Sequence, residues 1–138
     1  MIKQGSGRIM NVASTAAFQA GPLMSVYYAS KAYVLSFSQA LYNEVASHGI
    51  TVTALCPGPT QTGFKKAAGL NESMLFKRTK VATARDVANY GYRAMTKGKM
   101  VAVHGLLNWI LASGGNLVPR KFLIKMIRKL QEKTKQPI

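Results

Sequence analysis

Ile50-Thr51-Val52-Thr53-Ala54-Leu55-Cys56 is an apolar and β-branched run closed by the breaker Pro57-Gly58-Pro59. It lacks the in–out polar alternation of a half-solvated strand. A strand that is apolar on both sides belongs in a parallel sheet covered on both faces. Just upstream, residues 26–47 carry a helical pattern, with Ser25 as its expected N-cap and Gly49 as a left-handed residue beyond its end. Before that, Gly5 and Gly7 bracket a turn, residues 8–13 read as a short buried strand ending near Ser14, and residues 15–25 read as a loop broken at Gly21-Pro22. Downstream, residues 60–83 are irregular and long enough to be a lid or binding loop. Thr83-Ala84-Arg85-Asp86 opens a second helix running to about Met95, and residues 100–103 form a third strand after Lys97-Gly98-Lys99. Strand, helix, strand, helix, strand predicts an α/β fold: part of a doubly wound parallel sheet with right-handed crossovers. Ligands of such sheets sit at the C-terminal strand ends. Ser14 and Pro57-Gly58 fall there, and the start of the long helix points Tyr27 to the same rim.

Tyr27 and Lys31 are spaced i,i+4, so on a helix they share one face. A free phenol, with a pKa of about 10, is a poor proton carrier near neutrality. A neighbouring ammonium favours the phenolate, and a hydroxyl such as that of Ser14 can hold a substrate oxygen against it. These residue types suit proton transfer to or from an alcohol or carbonyl. Tyr28, Tyr33 and Tyr42 read as helix packing or interface residues. The helix is rich in small residues, which permits close approach by another element.

With 138 residues, 48% of them hydrophobic and 17% charged, the chain can build a core and is not a disordered tail. Its single cysteine excludes an internal disulfide framework and a multi-cysteine metal site, and Cys56 reads as a small buried hydrophobe. His48 and His104 have no ligand partner at sensible spacing, so no metal site is expected. The net charge of +15 is uneven: residues 97–138 hold nine Lys/Arg against Glu132 alone. Without finger-type metal spacing or an RNP-like aromatic stripe, specific nucleic-acid binding is not expected. General attraction to anionic surfaces is. The N-terminus lacks an apolar signal-peptide core, and the longest apolar stretch, residues 100–118, is interrupted by His104, Gly105, Asn108 and Gly114-Gly115. A cytoplasmic location, with membrane-surface association through the basic tail, is the expectation.

Four segments, in order, resemble the short-chain dehydrogenase/reductase family. Asn11-Val12-Ala13-Ser14 is similar to the strand ending in the family's active-site serine, and Tyr27-Tyr28-Ala29-Ser30-Lys31 carries its Tyr-x-x-x-Lys signature. Pro57-Gly58-Pro59-Thr60-Gln61-Thr62 resembles its Pro-Gly segment under the nicotinamide. Residues 83–88 resemble the helix start after its substrate loop. The resemblance covers residues 5–105 and implies roles. Tyr27 would be the general acid/base, and Ser14 would hold the substrate oxygen. Lys31 would lower the pKa of Tyr27 and bond the nicotinamide ribose. Pro57 and Gly58 would let backbone lie against the nicotinamide, while Thr60 and Thr62 would contact its carboxamide or phosphate side. It implies NAD or NADP as cofactor, a carbonyl or alcohol substrate, and a homo-oligomer in the full-length protein.

The family's glycine-rich first turn, its ribose-reading residue, its Asn-Asn-Ala-Gly strand and the helix bearing its active-site asparagine have no counterpart in these residues. The expectation is therefore the C-terminal half of a Rossmann-type domain over residues 1–105, inactive alone and weak or silent toward nicotinamide dinucleotides. Residues 106–138 read as a hydrophobic then basic helical extension. In it Phe122, Leu123, Met126, Ile127 and Leu130 recur at helical spacing, with Lys121, Lys125, Arg128, Lys129 and Lys133 opposite. Pro119 suits its first turn, and Trp109 reads as an apolar anchor. The apolar face either packs on the substrate loop or a partner subunit, or lies on an anionic membrane. Taken alone, the latter would make the chain a non-catalytic membrane-surface module; in the catalytic reading the apolar tail points to a lipophilic substrate.

Overall fold

The computed structural model describes residues 1–67, 81–115 and 118–132. Three strands, β1 (Gly7–Val12), β2 (Ile50–Cys56) and β5 (Val101–Val103), form a parallel sheet in the order β1-β2-β5. The register runs Gly7↔Ile50 to Val12↔Leu55 and Ala54↔Val101 to Cys56↔Val103. The central strand is the unbroken apolar run, and its side chains alternate between two cores. Ala54 and Cys56 join Ala13, Ala17 and Leu35 under α1 (Ser25–Ala46). Leu55 joins Val87, Ala94 and Ala102 under α3 (Ala84–Thr96). Helices on both faces make the sheet doubly wound.

Small residues bring the helices close. Ser38 of α1 is fully buried, donates back to the Val34 carbonyl at 2.6 Å and accepts from Asn11 Nδ2 at 3.0 Å. On the other face a Cβ at Gly91 would sit 2.7 Å from Leu55 Cδ2, so glycine lets α3 approach without moving the Leu55 side chain. Gly49 adopts φ 66°, the left-handed conformation expected of it. Thr83 caps α3: its Oγ1 accepts from the Asp86 amide at 3.1 Å and donates to Asp86 Oδ2 at 2.7 Å.

Several local expectations are corrected. Ser25 is the first helical residue, not the cap; Met24 holds the cap position without a side-chain bond. The turn before it places Leu23 at φ 69°. The loop after Ser14 contains a 3-10 turn, Thr15–Phe18. Part of the irregular segment is ordered by a two-residue parallel pair, β3 (Thr60–Gln61) with β4 (Ala82–Thr83), and by the short α2 (Phe64–Ala67). The remainder of that expected lid, residues 68–80, lies outside the described residues.

Two helices follow the sheet. In α4 (Leu106–Gly114) only Ala112 is buried. Trp109 is 54% exposed and so does not anchor the tail. The basic helix α5 (Arg120–Gln131) starts after Pro119, which stands at the cap rather than within the first turn. Ile127 packs with Ala16 and Tyr28, flanked by Met24, Tyr27, Leu123 and Leu130. Leu123, Ile127 and Leu130 of the α5 stripe therefore face the protein, because Tyr28 and the 3-10 turn supply an apolar seat that the sequence spacing could not reveal, whereas Phe122 stays exposed. No helix among the described residues is long and apolar enough to cross a membrane.

Candidate active site

The C-terminal ends of β1 and β2 are zipped past their last ladder pair by Ala13 N–H to Leu55 O (2.8 Å) and Thr15 N–H to Pro57 O (2.9 Å). This puts Ser14 beside Pro57-Gly58 at the strand ends. Ser14 is extended (φ −172°) and buried, and its Oγ accepts from the Ala16 amide at 3.1 Å. That bond uses a lone pair and leaves the hydroxyl hydrogen available to a ligand oxygen.

Tyr27 lies in the first turn of α1, its ring 5.2 Å from that of Phe64 and 6.0 Å, edge to face, from that of Tyr28. One turn on, Lys31 Nζ stands 5.8 Å from the Tyr27 ring centroid and donates to the Val12 carbonyl at 3.0 Å. The i,i+4 spacing thus places ammonium and phenol on one face, and the end of β1 fixes the ammonium.

Ser14, Tyr27, Lys31, Pro57, Gly58, Thr60 and Thr62 all line one pocket of about 690 Å³, within the range of small-molecule sites. All the site residues named from the sequence converge here. Gly58 lies flush against the Asn108 side chain, which occupies the space a Cβ would need. Asn108 is held by donation to the His104 carbonyl at 2.8 Å. Thr60 Oγ1 donates to the Gly58 carbonyl at 2.9 Å, stiffening the turn, and Thr62 Oγ1 accepts from the Phe64 amide at 3.3 Å. Both hydroxyls therefore have local work as well as a place in the pocket.

Two groups beside the site are held neutral. Burial pushes the Cys56 thiol up from 9.0 to about 11, against the lowering effects of a hydrogen bond from the Ser14 backbone and of Lys31. Such a thiol is no nucleophile at neutral pH. Burial also raises the Tyr28 phenol, opposed by its hydrogen bond with Gln131 and assisted by nearby Tyr27.

Sequence reading missed Asn108, Gln131 and the role of Tyr28. Gln131 carried one signal: it continues the 123–127 stripe by a further helical turn, where an apolar residue is expected.

The family model for short chain dehydrogenases matches residues 1–73, more than half of the chain. The chain belongs to the short-chain dehydrogenase family. The 3-oxoacyl-[acyl-carrier-protein] reductase of Synechocystis is 45% identical over 58 residues, which are 42% of this chain and 24% of that protein. The very-long-chain 3-oxoacyl-CoA reductase of Macaca fascicularis is 28% identical over 127 residues, 91% of this chain and 39% of that one. The crystal structure of a short-chain dehydrogenase from Burkholderia cenocepacia in complex with NADP superposes with a TM-score of 0.71 at 25% identity, over 91% of this chain and 49% of that one. The chain spans about a quarter to two fifths of these two curated relatives and about half of that solved structure. The simple parallel sheet with a helix on each face is thus the short-chain dehydrogenase version of a Rossmann-type fold.

Proposed function

We propose that this chain carries the proton-transfer side of a nicotinamide-dependent reductase acting on a carbonyl or alcohol. The convergence of Ser14, Tyr27, Lys31 and Pro57-Gly58 on one pocket carries the reading. The nicotinamide end of NAD or NADP would meet residues of the right kind here: the hydroxyl of Ser14, the phenol of Tyr27 and the ammonium of Lys31 line the same pocket as Pro57 and Gly58. No glycine-rich turn for the pyrophosphate occurs in the 138 residues.

Bound NAD(P)H supplies the hydride. The chain's residues manage the oxygen that becomes an alcohol. Ser14 donates its hydroxyl hydrogen to the carbonyl oxygen and stabilises the charge that gathers there. Tyr27 delivers its phenolic proton to that oxygen, and the phenolate is stabilised by the Lys31 ammonium. Lys31 would also hold the nicotinamide ribose, and Thr60 and Thr62 would contact the carboxamide or phosphate side. In the reverse direction Tyr27 takes the proton from the alcohol. The ketoacyl relatives make a 3-oxoacyl thioester the first substrate to test.

The test places the glycine-rich first half of the Synechocystis reductase ahead of Met1 and follows NADPH absorbance with acetoacetyl thioester. Turnover is expected, and Tyr27→Phe is expected to lower it by about a hundredfold or more with the fold intact. Undiminished turnover in Tyr27→Phe would refute the assignment. Calorimetric titration of the 138-residue chain with NADP is expected to show no micromolar binding.

A second reading concerns location. Leu106, Leu107, Trp109, Ile110 and Leu111 of α4 are all at least half exposed, Leu106 at 75%. No charge occurs from residue 100 to 119, yet Lys97 and Lys99 precede this stretch and Arg120 and Lys121 follow it. A second copy docking here would bring like charges together, whereas an anionic bilayer attracts them at about 1 kcal/mol per basic residue. This supports membrane-surface association of a cytoplasmic enzyme through α4. Flotation with phosphatidylserine vesicles and not with phosphatidylcholine is expected; flotation with neither ends this reading. The expected homo-oligomer is better served by the outer face of α1, where Val26, Tyr33 and Phe37 are exposed.

A further inference from the structure

Gly58 does not do in the fold what the family resemblance implies for it. The resemblance has its backbone lie bare against a nicotinamide. In the structure the space left by its missing side chain is already taken. A Cβ there would lie 2.5, 2.7 and 2.8 Å from Nδ2, Cγ and Oδ1 of Asn108. Three such similar distances mean that the amide presents its face to the Gly58 backbone. Asn108 belongs to α4, in the stretch that the sequence reads as an extension beyond the sheet, yet it returns to the strand ends to fill this gap.

The amide is held one way round. Its Nδ2 donates to the His104 carbonyl at 2.8 Å. A carbonyl can only accept, so this bond decides which end of the amide is nitrogen. The oxygen is the end left over, and nothing among the described residues donates to Oδ1. The side chain is half-buried and lines the same pocket as Tyr27 and Lys31. Close by in sequence to Gly58, Thr60 has spent its hydroxyl hydrogen on the Gly58 carbonyl, and Thr62 Oγ1 already accepts from the Phe64 amide. Asn108 thus offers a ligand N–H an acceptor that is free and fixed, with little rotamer freedom left to lose on binding. The NH2 of a primary carboxamide suits it. A methyl ketone in the same place does not, since it has no hydrogen to give.

We propose that Asn108 contacts the cofactor: its Oδ1 accepts from the carboxamide NH2 of the nicotinamide, and Gly58 is small in order to seat Asn108, not to bare backbone to the ring. The proposal rests on the reductase reading and adds a residue to its cofactor side. Its consequence is orientation. A ring turned over about its bond to the ribose carries the carboxamide to the other side, so a bond to Asn108 selects which face of the ring meets the substrate.

The test titrates the isotope-labelled 138-residue chain with nicotinamide mononucleotide and with its acetylpyridine analogue. The analogue keeps ring, ribose, phosphate and carbonyl and replaces the NH2 by a methyl group. Chemical shifts give both affinities, which are expected on the order of millimolar for ligands of this size. The mononucleotide is expected to bind about fivefold more tightly than the analogue. The Asn108 side-chain amide resonance is expected to move with the mononucleotide and not with the analogue. Asn108→Leu keeps the volume and removes the acceptor, and it is expected to bring the ratio of affinities to about one. Gly58→Ala pushes the amide off its seat and is expected to do the same; it is the second variant should the first disturb the fold. An Asn108 that only braces the turn would, when replaced, weaken both ligands by one factor and leave their ratio unchanged. Equal affinity for the two ligands in the unmodified chain, or a ratio untouched by both variants, would overturn the proposal and leave the nicotinamide seat standing. Binding of neither ligand rejects the seat, and this proposal with it. None of these readings uses turnover, so failure of the reductase assay alone rejects the catalytic reading and not this one.

Discussion

The rim at the strand ends and the limb beyond β5 meet at two adjacent residues, Tyr27 and Tyr28, and are built in opposite ways. The rim is assembled from short-range signals. A strand ends two residues before Ser14, a breaker follows Cys56, and a four-residue spacing sets Lys31 against Tyr27. The limb is attached by contacts that span the chain. Gln131 reaches Tyr28 across 103 positions, and Ile127 packs on Ala16. The rim is therefore tied to the core of the sheet, whereas among the described residues the Gln131–Tyr28 bond and an apolar stripe hold α5.

The comparison can be broken most forcefully in the body. Leu55→Ala empties the core between β2 and α3, where Leu55 is 3% exposed. A loss of about 2–5 kcal/mol is expected. Denaturant unfolding should show rim and limb lost together. Should α5 keep its protection in hydrogen exchange while the sheet melts, the dependence of limb on body is wrong.

Alkaline pH separates the two regions by titration. Both groups have raised folded values, so their stabilisation is complete below the unfolded pKa and is lost as pH rises toward the folded one. For Cys56 in the body the window runs from about 9 to about 11, a shift equivalent to roughly 2–3 kcal/mol. For Tyr28 in the limb, loss begins above its ordinary 10.0. Stability measured from pH 7 upward should hold until about pH 9 and then fall. Cys56→Ser would exchange a thiol for a hydroxyl that does not titrate there, and the early part of the fall should disappear.

Smaller effects sharpen the picture within the body. Thr83→Ala removes the cap of α3 and should cost about 1 kcal/mol, with no change in α5 exchange. Leu23→Gly relieves a left-handed leucine at φ 69° and should raise stability by up to about 1 kcal/mol, read as a higher denaturation midpoint. Thr53→Val acts in the same direction: Thr53 is 0% exposed and its hydroxyl has no partner, so an isosteric methyl is expected to add about 1 kcal/mol.

Much of the body was legible beforehand. The β2 bounds, the parallel order, the left-handed Gly49 and the Thr83 cap all follow from side-chain volume, backbone freedom and local hydrogen bonding, which operate within a few residues. That Ser14, Tyr27, Lys31, Pro57 and Gly58 share one pocket was legible because four of them sit at element ends and Lys31 lies one helical turn beyond Tyr27, where local sequence sets geometry. Ser25 was misassigned since a cap depends on the φ and ψ of the entering turn, here set by Gly21 to Met24. Trp109 was misplaced for a different reason, and for the same reason the surface met by the apolar stripe of α5 was left open between protein and bilayer. Periodicity says that a helix has an apolar face but not what that face meets.

By itself, the sequence determined the elements, the parallel sheet and the membership of Tyr27 and Lys31 in one helical face, because strand hydrophobicity and helical pitch are local quantities. Only the tertiary structure decided that Tyr28 receives Gln131, that Leu123, Ile127 and Leu130 of α5 turn toward Tyr28 and the 3-10 turn, and that α4 leaves its own apolar residues exposed. Those outcomes depend on which surfaces the folded chain brings within reach of one another. A one-dimensional spacing does not carry that information.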